Sequence, residues 1–316
     1  MQPKQRDKDL LMDTWQPSTL SWSCSQAGRF EACRRRYFYH RFWGQDPKLR
    51  WRMYEMRNLT TLSKLRGQIV HDVIAEALKS LRYGVTITPK DAKDNVTAMI
   101  RERYAESAKK LWHIDNRPPG RKISQITSLL EHYYHLPNLN ERAREAQQMA
   151  WKCVENLIGS EYWAGIVGSS PSGWIEIEEG DFPSFDLDGI KIYTKIDLAH
   201  SNRANTIIDW KTGAPNDADK DQLTLYSMYA QSKWEWDPSE TTLAAVYLQP
   251  ELHVETFTPT PDELEAVREH VKESFARMLE LEPAYGPADI SGFPISENSS
   301  QCAWCRFQEI CEGGKL

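Results

Sequence analysis

Cysteine is scarce: six in 316 residues are too few for a disulfide-stapled scaffold. Long hydrophobic runs are missing as well. No stretch approaches about 18 consecutive apolar residues, and the mean hydropathy is −0.63, so no membrane partner is expected. The opening segment, MQPKQRDKDLLMD, carries both charges and lacks the apolar stretch of a secretory signal. A cytoplasmic location follows as the expectation. No internal repeat is visible, and no G-x-x-x-x-G-K-[ST] phosphate loop occurs, so the chain carries no motor signature of that kind.

What is present suits a folded chain. Hydrophobic residues make up 40% and aromatics 11%, with a net charge of only −6, which excludes a disordered polyelectrolyte. The length suffices for one large domain or two smaller ones around a sizeable core. The net charge hides an asymmetry: residues 1–70 hold 14 Lys/Arg against 6 Asp/Glu, a balance of +8, while the remainder stands at −14. A basic segment on an acidic body is what a polyanion-binding face looks like, although solvated surface charge has the same signature.

The pattern divides the chain into a tail (1–17), an N-terminal segment (18–82), a helical insertion or cap (83–172), a core (173–285) and a C-terminal segment (286–316). Ser25 is placed to cap a helix running through Phe30, Cys33 and Tyr37. Leu65, Ile69, Val73, Ile74, Ala77, Leu78 and Leu81 recur at helical spacing, which predicts a helix over 62–81 with His71 in its middle. Strands are expected at 174–178, 190–199, 206–210, 243–248 and 253–257, and helices at 218–233 and 261–281. The fold class is therefore α/β, with a mixed central sheet flanked by helices.

The sharpest constellation is Asp197, Asp209 and Lys211. Residues two apart in a strand share a face, so Asp209 and Lys211 stand together. A hairpin through HSNRAN brings Asp197 beside them. Adjacent carboxylates repel unless a hard cation lies between them, and a neighbouring lysine stabilises charge building on a phosphate. Two acids and a lysine thus suit a Mg²⁺ or Mn²⁺ site for phosphodiester hydrolysis. A surface salt-bridge lattice is the ordinary alternative for a bare D-x-K. Glu176 and Glu178 share a face on the preceding strand and are expected to face solvent; the alternative is that one of them reaches the metal or a water.

Gly67 and His71 form a GxxxH on the first long helix. Asp197 ends K-I-D-L, Asp209-Trp210-Lys211 follows 12 residues later, and Gln222 and Tyr226 lie at i and i+4 on the next helix. This ordered set resembles the RecB-like exonuclease branch of the PD-(D/E)XK nuclease superfamily. The resemblance implies a restriction-endonuclease-like core. It makes His71, Asp197, Asp209 and the Trp210 backbone carbonyl metal ligands, and Lys211 the catalytic lysine. Gln222 and Tyr226 become supporting residues near the scissile phosphate. Ile196 stands where the family name has proline, Asp209 where glutamate is common, and Thr194 where that branch often has glycine. None of these departures removes a metal-binding or catalytic group.

Cys302, Cys305 and Cys311 form C-x₂-C-x₅-C near the C-terminus. Such spacing clasps Zn²⁺ or one edge of an iron–sulfur cluster and asks for a remote fourth thiolate. Cys33 is the first candidate and Cys24 its rival. Cys153 reads as a buried hydrophobe. One cysteine before the core and three after it resembles RecB-like nucleases that carry a [4Fe-4S] cluster, including CRISPR-associated exonucleases, with Zn²⁺ as the alternative.

Arg34, Arg35, Arg36 and Arg41 interleave with Tyr37, Phe38, Tyr39, Phe42 and Trp43. Arginines hold phosphates and aromatic faces stack bases, so the tract is a candidate DNA-binding segment. A helix with core aromatics and surface arginines has the same composition. The expected function is a metal-dependent DNA exonuclease acting on single strands or ends in repair, recombination or antiviral defence, with a separate helicase or larger complex as partner. A nuclease-like DNA-binding subunit and a structure-specific endonuclease are the alternatives.

Overall fold

A computed structural model of the chain describes residues 16–178 and 183–315, with the side chains of 299, 314 and 315 excepted. The expected tail at 1–17 lies almost wholly outside the described residues. Two compact units emerge. One gathers residues 16–62, 102–139 and 273–315, and the other 63–101 and 140–272. The segment 83–172 is thereby divided between them. No described helix is long and apolar enough to cross a membrane.

The second unit holds the central sheet. Its strands are β1 (Trp174–Ile177), β4 (Leu198–His200), β5 (Thr206–Lys211), β6 (Thr242–Tyr247) and β7 (His253–Phe257), in spatial order β1-β4-β5-β6-β7. β5 and β6 run parallel and the other neighbours antiparallel, so the sheet is mixed, as the pattern implied. A separate hairpin joins β2 (Ser184–Leu187) to β3 (Ile190–Tyr193). The strand expected over 190–199 is thus two strands in two sheets, with residues 194–197 unpaired in either ladder.

β5 reads T-I-I-D-W-K, and its four central residues are buried. Flanked on both edges and covered on both faces, a central strand loses the polar/apolar alternation of a half-exposed one. The helix Asp217–Trp234 follows it and packs on β5 and β6. A helix over Leu62–Leu81 matches the expected bounds. Ile69, Val70, Val73, Ile74 and Leu78 on it are fully buried, each stabilising the fold by roughly 1.5–3 kcal/mol.

The first unit is helical. Ser23, rather than Ser25, caps α1 (Cys24–Ala32), its side chain accepting from the Gln26 N–H. The expected single helix is interrupted at Cys33, whose extended backbone (φ −165°) separates α1 from α2 (Arg34–Arg41). A third helix, α3, spans Arg50–Arg57. In chain order the α-helices that follow are α4 (Leu62–Leu81), α5 (Pro89–Ala108), α6 (Leu130–Tyr133), α7 (Leu139–Ile158), α8 (Glu161–Val167), α9 (Asp217–Trp234) and α10 (Pro261–Leu279).

Candidate functional site

β5 supplies two of the predicted side chains. Asp209 and Lys211 share a face, and the Lys211 Nζ lies 2.8 Å from the Asp209 Oδ2. The antiparallel register pairs Leu198 with Ile208, and one step along it Asp197 comes alongside Asp209. Both Asp197 oxygens are fixed. Oδ1 bonds the His71 Nδ1 at 2.9 Å, and Oδ2 accepts from the Trp210 backbone N–H at 2.8 Å.

His71 comes from the middle of α4. Gly67, one turn earlier, has a packing reason: a Cβ there would sit 3.1 Å from the Thr212 Oγ1, just past β5. A side chain there requires the Thr212 hydroxyl to give by a few tenths of an ångström.

Lys211 has three donors and three partners. Besides Asp209 it meets the Asp219 Oδ1 at 3.0 Å and donates to the Gln222 Oε1 at 2.8 Å. Gln222 in turn donates through Nε2 to the Tyr226 hydroxyl. The i, i+4 pair on α9 therefore ends at the lysine. Asp219 was not foreseen. It sits in the first turn of α9 after the N-cap Asn216, in a capping box, and also accepts from the Tyr247 hydroxyl at 3.1 Å. The N-x-x-D spacing before an apolar run is the signal that could have found it.

Glu176 and Glu178 are buried, which corrects the expectation that they face solvent. A register irregularity between Trp174 and Glu176 breaks the alternation of β1. Just past the strand, Glu178 adopts φ +26° and its N–H donates to the Asp197 carbonyl at 3.1 Å. Its carboxylate accepts from the Lys195 ammonium. His71, Glu178 and Asp197 offer ligand atoms that all lie within 4.8 Å of one another. Glu176 instead takes the Tyr229 hydroxyl at 3.3 Å.

The electrostatics follow from this crowding. Burial and the Asp197 charge push the Asp209 carboxyl up to about 6, against the pull of Lys211 and His71. Burial alone would lower His71, but the charge and hydrogen bond of Asp197, with Asp209 and Glu178, outweigh it and hold the imidazole at about 9. Burial likewise opposes the Lys211 ammonium, and Asp209 and Asp219 reverse it. Glu178, Asp197, Asp209 and Asp219 together face His71, Lys211 and Lys195. This is an acidic site with oxygen and imidazole donors, and such a set fits a hard divalent cation.

The sulfur residues gather in the first unit. Cys33, Cys302, Cys305 and Cys311 line one cavity with Arg36, Tyr39 and Phe307. The helix break presents Cys33 to it, and the Cys33 Sγ accepts from the Arg36 N–H at 3.4 Å. Cys24 is exposed and Cys153 buried in the second unit; neither lines this cavity. All six cysteines are free. Burial pushes the Cys305 thiol up, and Cys311 and Cys33 add to the effect.

The basic tract is less open than its composition suggests. Arg41 forms a fork on Glu282 at 2.8 and 2.9 Å and reaches the Ser18 carbonyl. Arg35 donates to the Phe293 carbonyl at 2.8 Å. Arg34 covers the Phe30 ring at 3.3 Å, and Arg36 lines the cysteine cavity. Tyr37, Phe38, Tyr39, Phe42 and Trp43 are all buried, with Phe38 on Phe293 at 5.1 Å and Tyr39 on Phe307 at 5.5 Å. The aromatics form core rather than a stacking platform.

Residues 21–312 match the PD-(D/E)XK nuclease superfamily, and the mixed sheet with its flanking helices agrees with a restriction-endonuclease-like core. No curated protein sequence matches the chain. Among solved structures it is similar to a provisionally named exonuclease from Eubacterium rectale, with TM-score 0.42 and 12% identity over 89% of this chain and 86% of that one. It is also similar to SSO0001, with TM-score 0.30 and 18% identity over 58% and 77% of the two chains.

Proposed function

The chain belongs to the PD-(D/E)XK nuclease superfamily, and we propose that it is a metal-dependent DNA exonuclease of the RecB-like branch, acting on single strands or DNA ends. The observation that carries this reading is the double anchoring of Asp197. One oxygen holds His71 from α4, and the other holds the backbone at Trp210, between Asp209 and Lys211. A surface salt-bridge lattice would not bury both acids, yet Asp197 and Asp209 are 5% and 4% exposed.

His71, Asp197 and Asp209 would hold a divalent ion, with the Trp210 carbonyl and Glu178 as further donors. Such an ion lowers the pKa of a bound water and offsets charge on the phosphate. The chain's own residues supply the rest. Asp209 and Asp219 keep Lys211 protonated, so its N–H groups donate to oxygen as negative charge builds there. Gln222, braced by Tyr226, fixes the direction of that ammonium. As water attacks phosphorus and the bond to the leaving oxygen breaks, Lys211 exchanges a carboxylate partner for a phosphate oxygen.

The four cysteines lining one cavity support a [4Fe-4S] cluster, with a structural role. Zinc is the alternative. The proposed setting is DNA repair or antiviral defence beside a separate motor.

End-labelled linear strands and circular single strands, incubated with Mn²⁺ or Mg²⁺, test the reading. Stepwise release from linear substrates with circles left intact is expected. Cut circles would make the protein an endonuclease, and binding without any product would make it a DNA-holding subunit.

A further inference from the structure

The first unit contains a second group of cations. Arg29 on α1, His40 on α2 and Arg57 at the end of α3 line a cavity of about 320 Å³, together with Gln26 and Tyr37. The Arg29 guanidinium lies 3.3 Å from the His40 Nδ1. Arginine can only donate, so this nitrogen accepts and the His40 proton sits on Nε2. Arg57 lies over the Trp43 ring at 5.4 Å. Among the described residues, neither Arg29 nor Arg57 is paired with a carboxylate. Glu282, which reaches the neighbouring Arg41, is already held by that side chain in a fork.

Such crowding of like charge is costly. Burial, then Arg306, Arg36 and Arg57, pull Arg29 down to about 10. Burial, then Arg29 and Arg57, keep His40 neutral, down at about 2. Partly buried guanidiniums without a counter-charge call for an anion. The fork of a guanidinium matches the tetrahedral oxygens of a phosphate, where two arginines can each offer two parallel donors. Gln26 and the neutral imidazole add uncharged donors. None of the cluster cysteines lines this cavity, so the charge here is not balanced by thiolates.

We infer that Arg29, Arg57 and His40 form a phosphate-binding pocket that grips the backbone or terminal phosphate of a nucleic-acid strand. The choice of a strand over another phosphate source rests on the nuclease reading above. The pocket itself rests on the residues that line it.

Two measurements on the full chain test this. The first is thermal melting in inorganic phosphate against chloride of equal ionic strength. The second is fluorescence anisotropy of a labelled single strand, with chelator present so that no divalent ion contributes. Both compare the parent with Arg29→Gln/Arg57→Gln. Phosphate is expected to raise the melting temperature of the parent but not of the double variant. Strand affinity is expected to fall roughly tenfold or more, and the salt slope to shrink by about one per arginine removed. In phosphate-free buffer the variant should melt no lower than the parent, because it loses mutual repulsion. Phosphate protection that persists in the variant overturns the pocket. Protection lost with strand affinity unchanged overturns the assignment to a strand and leaves a free-anion site. A parent that cleaves DNA, with phosphate protection and strand affinity both unchanged in the variant, sinks the pocket alone. A parent that cleaves nothing, yet loses phosphate protection in the variant, sinks the nuclease reading alone.

Discussion

Lys211 and Asp219 meet at 3.0 Å, tying the end of β5 to the first turn of α9. The same Asp219 accepts from Tyr247 on β6, so three elements converge on one carboxylate. Lys211 is thereby aimed by a residue that is not part of the D-x-K itself.

Asp219→Asn removes one of the two charges that keep Lys211 protonated. Cleavage should fall roughly 10-fold to 100-fold, as for other losses of a group that orients a ligand or catalytic side chain. The alkaline limb of the pH–rate profile should move to lower pH, because the Lys211 pKa falls. Divalent-ion affinity should be preserved. An unchanged alkaline limb would show that Asp219 only braces the helix.

In the metal-free chain, His71 is held at about 9, above the ordinary imidazole value of about 6.5. A raised folded-state pKa means that the His71–Asp197 pair stabilises the fold fully below about pH 6.5 and loses that contribution as pH rises through about 9. Asp209, raised to about 6, favours the protonated folded state in the same sense, over the window from about 4 to 6. A cation that takes His71 as ligand must displace its proton. Mn²⁺ affinity is therefore expected to climb about tenfold per pH unit between pH 6 and 8. Calorimetry in two buffers of different ionisation enthalpy should show about one proton released per ion near pH 7. Affinity independent of pH would count against imidazole ligation.

Cys305→Ser, prepared without oxygen, is expected to lose the broad visible absorbance of an iron–sulfur cluster and to melt at lower temperature. Cys24→Ser should keep both properties and Cys153→Ser the absorbance, because neither residue lines the cavity shared by the other four; Cys153 is buried in the core, so a hydroxyl there lowers the melting temperature without touching the absorbance. Zinc and no iron in the parent would replace the cluster with a single ion.

Much of this was legible in the sequence. The helix Leu62–Leu81 shows in its apolar spacing because one of its faces is core. The strand His253–Phe257 lies between clear turns at the sheet edge. The Asp197–Asp209 approach follows from a hairpin register that HSNRAN announces. Other features were hidden for physical reasons. Thr194, Ile196 and Asp197 are buried without being in a ladder, so the pattern of 190–199 does not betray the break between two sheets. Glu178 turns inward through irregular β1 pairing and a positive φ, which no alternation rule carries. Cys33 interrupts a helix although its neighbours favour one, and the break is set by tertiary contacts such as the Arg35 N–H on the Pro294 carbonyl. Asp219 reads locally as a helix cap; its bond to Lys211 exists only in the folded chain.

The most direct measurement pairs Mn²⁺ binding with strand cleavage in Lys211→Ala. The variant should bind the ion about as tightly as the parent, since His71, Asp197, Asp209 and Glu178 all remain, while cleavage falls by a factor of 100 or more, roughly what loss of one preorganised donor costs. Parental cleavage by Lys211→Ala would contradict the assignment of this acidic cluster and its lysine as the active site.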